Sequence, residues 1–262
     1  MPNLYTACWT MSDTSLGASG ITARGDNFES VALIADTQLK IMGRTAGGNF
    51  TRMLVVPEYF FNAGAGLVSR DNKHGIYRRL QAVSALVPEL LLIAGTIAYK
   101  KGTIFKDTYN VCPILLNGQI VKKLYKSDDD GVYALNGSFR SKDDNGKGVP
   151  VVTIAGITIG LDVCMDFNNN RLGSYLATNH LANPDIHVQI SGSNAMGTPS
   201  AQARTGGVYI HCDLGGKGVN GATAWRVTTQ NGPPLGAATT RILPSNTLTP
   251  GIGRLMVFNT SV

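Results

Sequence analysis

The stretch VVTIAGITIGLDVCMDFNNN, residues 151 to 170, sets the reading of the whole chain. Two short apolar runs turn at Gly156, and the second delivers Cys164 to its end, which predicts a strand pair with a cysteine at the exit of a buried strand. Such a residue stands on rigid backbone at the rim of a sheet, and polar Asp166, Asn168, Asn169 and Asn170 open the next element. If a helix starts within those few residues, its N-terminal amides favour a thiolate over a thiol. Taken alone, the cysteine reads more readily as a small packing residue, so its chemistry depends on what the other stretches bring to it.

Upstream, LYTACW (residues 4 to 9) reads as a first strand, followed by a Ser, Thr and Gly-rich loop to about residue 25. Asp26 with Glu29 three residues on resembles a capping box, and Val31, Leu33, Ile34, Leu39 and Met42 continue a helical pattern to Gly47-Gly48. MLVVPEYFF follows: residues 53 to 56 form a buried strand that Pro57 ends, because proline cannot donate to the ladder. Glu58, one of only three glutamates, is left at that strand's end beside Tyr59, Phe60 and Phe61, an apolar setting that raises a carboxyl pKa. Residues 70 to 87 read as a helix with a solvated basic face (Arg70, Lys73, Arg78, Arg79), stopped by Pro88. ELLLIAGTIAYKK reads as one strand, and TYNVCPILLNGQIVKKLYK as a hairpin about Asn117-Gly118. Alternation on its return strand puts Lys122 and Lys126 with Leu124 and Lys123 with Tyr125, although lysines there also suit a guarded edge strand.

Residues 127 to 148 are polar and too long for a simple connection, which marks a candidate active-site loop. Beyond Cys164, RLGSYLATNHLA predicts a helix; DIHVQISGS, GGVYIHCDL, GATAWRVTT and GRLMVFNT predict strands. Alternating helices and strands, with hairpins in the first half, predict two sheets packed face to face with helices outside.

A length of 262 residues is within what one core organises, so one α/β domain from residue 1 to 262 is expected. Charged residues are only 15%, against about a quarter in an average domain, and 31 glycines imply many tight turns. Net charge is +6, but the basic residues are scattered along the sequence and RSKDDNGK interleaves them with acids, so no nucleic-acid partner is expected. Cys8, Cys112, Cys164 and Cys212 form no CxxC pair, which argues against a zinc ribbon or disulfide scaffold and leaves three as strand packing. With no leader pattern and no apolar run of spanning length, a cytoplasmic protein without membrane contact is expected.

Three stretches thus carry PE at Glu58, LYK at Lys126 and CMD at Cys164, each near the end of a strand-like run. In order and spacing they resemble the Glu, Lys, Cys triad of the nitrilase superfamily, the carbon-nitrogen hydrolases. LVVPEYFF is similar to that family's glutamate motif, YNVCPILLNGQIVKKLYK to the hairpin leading to its lysine, and ITIGLDVCMD to its nucleophile strand. The fit selects Lys126 over Lys123, since the family's lysine closes the run Lys123-Leu124-Tyr125-Lys126. The resemblance extends over nearly the whole chain, through ARTGGVYIHCD. It implies a four-layer α-β-β-α sandwich, pairing of two or more copies across outer helices, and no metal or organic cofactor. Two departures stand out: no arginine follows directly after Cys164-Met165-Asp166, and no glutamate follows Glu89, so either the task of the family's second glutamate is lost or Asp128, Asp129 or Asp130 stands in for it. Asp166 places the chain nearer the amidase-like branches than the true nitrilases.

The resemblance implies that Glu58 takes the Cys164 thiol proton, that a thioester forms, and that Lys126 and the Met165 amide hold the oxyanion. Around these, Tyr59, Phe60, Asp166, Asn168, Ser193 and Asn194 are expected to bind a small polar carboxamide, with residues 127 to 148 closing the mouth. The alternatives are acyl transfer or nitrile hydrolysis through the same thioester, a Cys-His site pairing Cys164 with His187 or His211, and a silent binding protein of the same fold.

Overall fold

The computed structural model describes residues 3–11, 20–46, 50–62, 66–101, 107–128, 149–192, 201–214, 222–229, 238–248 and 253–261. The first half contains β1 (Asn3–Thr10), α1 (Ile21–Ala46), β2 (Phe50–Val56), α2 (Arg70–Leu86), β3 (Leu90–Ala94), β4 (Ile97–Lys101), β5 (Asp107–Leu116) and β6 (Gln119–Tyr125). After it come β7 (Val151–Ile154), β8 (Ile157–Val163), α3 (Met165–Asn168), α4 (Arg171–Thr178), β9 (Ile186–Ser191) and β10 (Val208–Asp213). The chain closes with β11 (Ala222–Thr229), β12 (Ala238–Ile242), β13 (Asn246–Leu248) and β14 (Arg254–Ser261).

The strands form two sheets. One has the order β13-β14-β1-β2-β3-β5-β4, with β6 also pairing β5; the other has the order β12-β11-β10-β9-β8-β7. Alternation along each strand divides the apolar residues into layers. Leu4, Cys8, Met53, Val55, Leu91 and Ile93 of the first sheet meet Leu161, Val163, Val188, Ile190 and Ile210 of the second in one buried cluster. Tyr5, Ala7, Trp9, Leu54 and Leu92 point the other way, onto Phe28, Val31, Ala35 and Leu39 of α1 and Ile76, Leu80 and Val83 of α2. Phe167 of α3 packs with Tyr209, Trp225 and Val227 on the outer side of the second sheet. The result is the expected α-β-β-α layering. No described helix is long and apolar enough to cross a membrane.

Local signals account for most boundaries. Asn117 and Gly118 both have positive φ (51° and 76°), the requirement of the tight hairpin turn between β5 and β6. Ala155 and Gly156 (50° and 81°) turn β7 into β8 in the same way. The Ser69 side chain caps α2 by accepting from the Asn72 amide (3.2 Å). Cys8, Cys112 and Cys212 lie buried inside strands as free thiols.

Four expectations are corrected. The first helix starts at Ile21, so Asp26 and Glu29 sit inside it, where they pair with Arg79 of α2 instead of capping. Leu33 is 43% exposed on the far side of that helix, and the core stripe runs through Phe28, Val31, Ala32, Ala35 and Leu39. ELLLIAGTIAYKK is two strands, because Gly95 at φ +68 breaks it. His180 lies past the end of α4, in a turn with φ 51°. Gly47 and Gly48 lie outside the described residues.

Candidate active site

Glu58 is held by a turn that the end of β2 cannot avoid. Pro57 stops the ladder, Tyr59 takes positive φ (57°), and its amide donates to Thr96 Oγ1 (2.8 Å) in the break between β3 and β4. Gly95 makes this approach possible: a Cβ there would sit 2.4 Å from the Pro57 carbonyl oxygen. Arg24, fully buried in α1, donates to the Phe60 carbonyl (2.6 Å), and Asn62 donates to the carbonyls of Gly66 and Ala98. The Glu58 backbone is thereby pinned from three sides.

Lys126 follows the last residue of β6, and its amide donates to the Asn110 carbonyl (2.9 Å). Alternation carries its side chain inward, where Nζ donates to Glu58 Oε1 (2.9 Å), and both side chains are 0% exposed. Asn110 Nδ2 donates to the same oxygen (2.9 Å). Lys123 points outward, with Nζ 4.7 Å from the Tyr77 ring centroid. Of the aromatic wall, only Tyr59 turns toward this pair, its ring centroid 5.6 Å from Lys126 Nζ. Phe60 is corrected: with Trp9, Phe28 and Phe61 it fills the core under α1, because residues 59 to 61 form a turn and strand alternation does not govern them.

Cys164 follows the last residue of β8 in a conformation no ordinary strand residue adopts, φ 51° and ψ −106°. Simple alternation would send its side chain to the outer face with Asp162; the positive φ turns it into the cluster between the sheets, with Val163 and Ile190. Strain of this kind is worth about 1–3 kcal/mol and persists where the surroundings impose it. Here the Cys164 amide donates to the Ile190 carbonyl (2.9 Å), α3 begins at the next residue, and Phe167 buries the first turn. The neighbouring strand β9 leads to Gly192, where a Cβ would sit 2.9 Å from the Tyr59 ring and 3.4 Å from Glu58 Oε2. The ends of β2, β6, β8 and β9 thus meet, bringing Glu58 and Lys126 into contact and Cys164 to the same strand ends.

Asp166 is also corrected. It is buried and ties the loop after Lys126 to the helix after Cys164, its carboxylate taken up by the Ser127 and Asp128 amides and Arg171 instead of being offered to a substrate. Its carboxylate accepts from the amides of Ser127 (2.9 and 3.2 Å) and Asp128 (2.9 Å) and from Arg171 Nη1 (2.9 Å). The same Arg171 nitrogen donates to the Tyr125 carbonyl (2.8 Å), so the residues on either side of Lys126 are held by one ion pair. Asp128 joins through its backbone; Asp129, Asp130, Ser193, Asn194 and the loop beyond residue 128 to residue 148 lie outside the described residues. Asn168 is exposed and donates to Met165 Sδ (3.5 Å).

Burial pushes the Asp166 carboxyl up to about 7; Arg171 opposes this, Asp162 adds to it, and the Asp128 and Ser127 amides oppose it. Since the folded value lies above the ordinary 3.8, the native state holds this proton more tightly between the two. That contribution to stability is greatest below about pH 4 and is lost as pH rises through about 7. The clamp behaves oppositely, because protonation turns one acceptor of the carboxylate into a donor. We therefore expect any Lys126-dependent rate to fall as pH drops through about 7. An Asp166→Asn variant should lose that limb of the rate profile; if it keeps the limb, another group is responsible.

The histidines do not serve Cys164. His187 Nε2 is 3.1 Å from Asp162 Oδ2, and its Nδ1 accepts from the Gln202 amide (3.0 Å). His211 Nε2 lies 2.9 Å from Ser191 Oγ, in a buried cluster with Asp213 on the outer face of the second sheet. Burial lowers the His211 pKa to about 4, which keeps it neutral. Among the described residues no group of three or more His, Cys, Asp and Glu could hold a metal ion. Asn110, Gly192 and Arg171 were missed from the sequence. Asn110 had one weak signal, a polar side chain within the otherwise apolar TYNVCPILL.

No protein-family profile and no curated protein matches this sequence. Solved structures do. An amidase from Nesterenkonia sp. superposes with a TM-score of 0.62 over 98% of this chain and 89% of its own, at 14% identity. Nit3 of Saccharomyces cerevisiae, a member of branch 10 of the nitrilase superfamily, gives 0.59 over 99% and 90%, at 12% identity. One form of the Nesterenkonia amidase carries the product of Michael addition of acrylamide at its active-site cysteine. At these identities the likeness establishes the fold: this chain has the α-β-β-α architecture of the nitrilase superfamily.

Proposed function

We propose that this chain, built on the nitrilase-superfamily fold, is an amidohydrolase that cleaves a small polar carboxamide through a thioester on Cys164. The observation that carries the reading is the Glu58–Lys126 pair, a carboxylate and an ammonium both wholly removed from water, 2.9 Å apart at strand ends shared with a cysteine in a strained turn. Removing two charges from water is costly, and a well-packed apolar pair serves stability equally well or better. A use in chemistry accounts for keeping them.

In this reading Glu58 accepts the Cys164 thiol proton and the thiolate adds to the carboxamide carbon. Lys126 and the Met165 N–H, which heads α3 and has no acceptor within the helix, stabilise the oxyanion. The C–N bond breaks as Glu58 returns the proton to the departing amine. Water then attacks the thioester and gives its proton to Glu58; the C–S bond breaks and the thiolate is reprotonated. The Nesterenkonia relative of the same fold, an amidase with an active-site cysteine, supports the reading. The occupied nitrogens of His187 count against a Cys-His site.

Matched amide and nitrile pairs test the assignment. Amides should turn over faster, with the acyl group found on Cys164 by mass spectrometry of the quenched enzyme. Faster turnover of the nitriles would overturn the amidase reading and leave the thioester chemistry in place.

A further inference from the structure

A concave site lies on the α2 side of β6, outside the strand ends that hold Glu58 and Cys164. It is a groove of about 570 Å³ between α2, β4 and β6. Arg70, Lys73 and His74 line it from α2, Lys101 from β4, and Lys122 and Lys123 from β6; among the described residues no aspartate or glutamate lines it. Tyr77, Tyr99 and Tyr125 contribute its aromatic lining.

Elsewhere in the molecule cations are commonly matched with acids: Arg52 with Asp36 and Glu89, Arg79 with Asp26 and Glu29, Arg204 with Asp185, Arg171 with Asp166. In the groove, Arg70, Lys101, Lys122 and Lys123 enter no salt bridge among the described residues. Two of the ammonium groups lie over rings: Lys73 Nζ is 4.1 Å from the Tyr99 centroid and Lys123 Nζ 4.7 Å from that of Tyr77. Such contacts fix a lysine head without neutralising it. The Tyr77 hydroxyl is buried and has no hydrogen-bond partner among the described residues. Burial, then Tyr125 and Cys112, pushes its pKa above the ordinary range, so it remains a donor. Partial desolvation, then the charges of Lys73, Arg70, Lys123 and Arg78, lowers that of His74.

Lysines guarding an edge strand would explain Lys122 and Lys123 but not the convergence of Arg70, Lys73 and Lys101 from other elements. We infer that this groove is a binding site for a compact oligophosphate anion, held by Arg70, Lys73, Lys101, Lys122 and Lys123. Arg70, Lys101, Lys122 and Lys123, like charges gathered at one cavity with no salt bridge among the described residues, are best satisfied by a ligand with several negative oxygens. The volume is that of a small-molecule site, and the cations surround a cavity instead of forming the extended stripe that tracks a nucleic-acid backbone. The scatter of basic residues along the sequence is therefore misleading, since folding collects five of them from three elements. The inference is independent of the chemistry at Cys164.

Inorganic tripolyphosphate is the probe, titrated calorimetrically into the full chain at low and at physiological salt. We expect saturable binding that weakens with salt and falls by about tenfold or more in Lys122→Glu/Lys123→Glu and, separately, in Arg70→Glu, but by less than about twofold in Arg241→Glu on β12. Circular dichroism checks that each variant is folded. A nucleoside triphosphate that binds more tightly than tripolyphosphate identifies a nucleotide as the ligand, and equal affinities identify the phosphate chain alone; both support the site. No binding, equal weakening in Arg241→Glu, or binding of a single-stranded oligonucleotide that tripolyphosphate fails to displace would each overturn it.

Discussion

Cys164→Ala is expected to lower amide turnover by about 10⁴–10⁶-fold, the scale seen when a covalent nucleophile is removed. Folding should survive, because the change deletes one sulfur from a site where the backbone is fixed by other groups: the Cys164 amide on the Ile190 carbonyl and Phe167 packed beneath the second sheet. Alanine keeps the positive φ at no greater penalty than cysteine, since both carry a Cβ. The measurement is single-turnover hydrolysis together with the intact mass of quenched enzyme. Both the rate and the acyl adduct should vanish together. Adduct retained in the variant would place the nucleophile elsewhere, on one of the buried thiols Cys8, Cys112 or Cys212.

The second large effect concerns stability. Replacing Glu58 by Gln strands the Lys126 ammonium in a site where it is fully buried, and replacing Lys126 by Met strands the carboxylate. Each single change should cost about 3–5 kcal/mol in urea unfolding, while Glu58→Gln/Lys126→Met together should recover most of that loss. Asn110 still has an amide oxygen to donate to in the double variant, which limits the residual penalty. The double variant should nevertheless be inactive. Restored stability without restored turnover is the signature of a pair kept for chemistry. If the double variant were as unstable as the sum of the singles, the pair would not be coupled and its proposed role would fail.

The sequence carried the architecture because its local signals are strong. Asn117-Gly118 and Gly156 permit the positive φ of tight turns, Pro57 ends β2, and alternation through Leu124 fixes which lysine faces inward. Those signals live in single residues and their immediate neighbours. Where local signals are weak, boundaries failed: α1 begins five residues before Asp26, and β12 and β13 went unrecognised, β13 being only three residues long and mostly exposed.

What tertiary structure alone decided is which groups touch. Arg171 reaches the backbone of Tyr125, Asn110 reaches Glu58, and Phe60 turns into the core, because contacts between distant segments depend on how the strand ends meet. The basic groove is of the same kind. Charge along a chain says nothing about convergence, and only the packing of α2 against β4 and β6 brings Arg70, Lys73, Lys101, Lys122 and Lys123 around one cavity. Sequence determines conformation where a residue's own backbone preference or periodicity dominates; the fold determines chemistry where the relevant energy is between side chains that the chain order keeps apart.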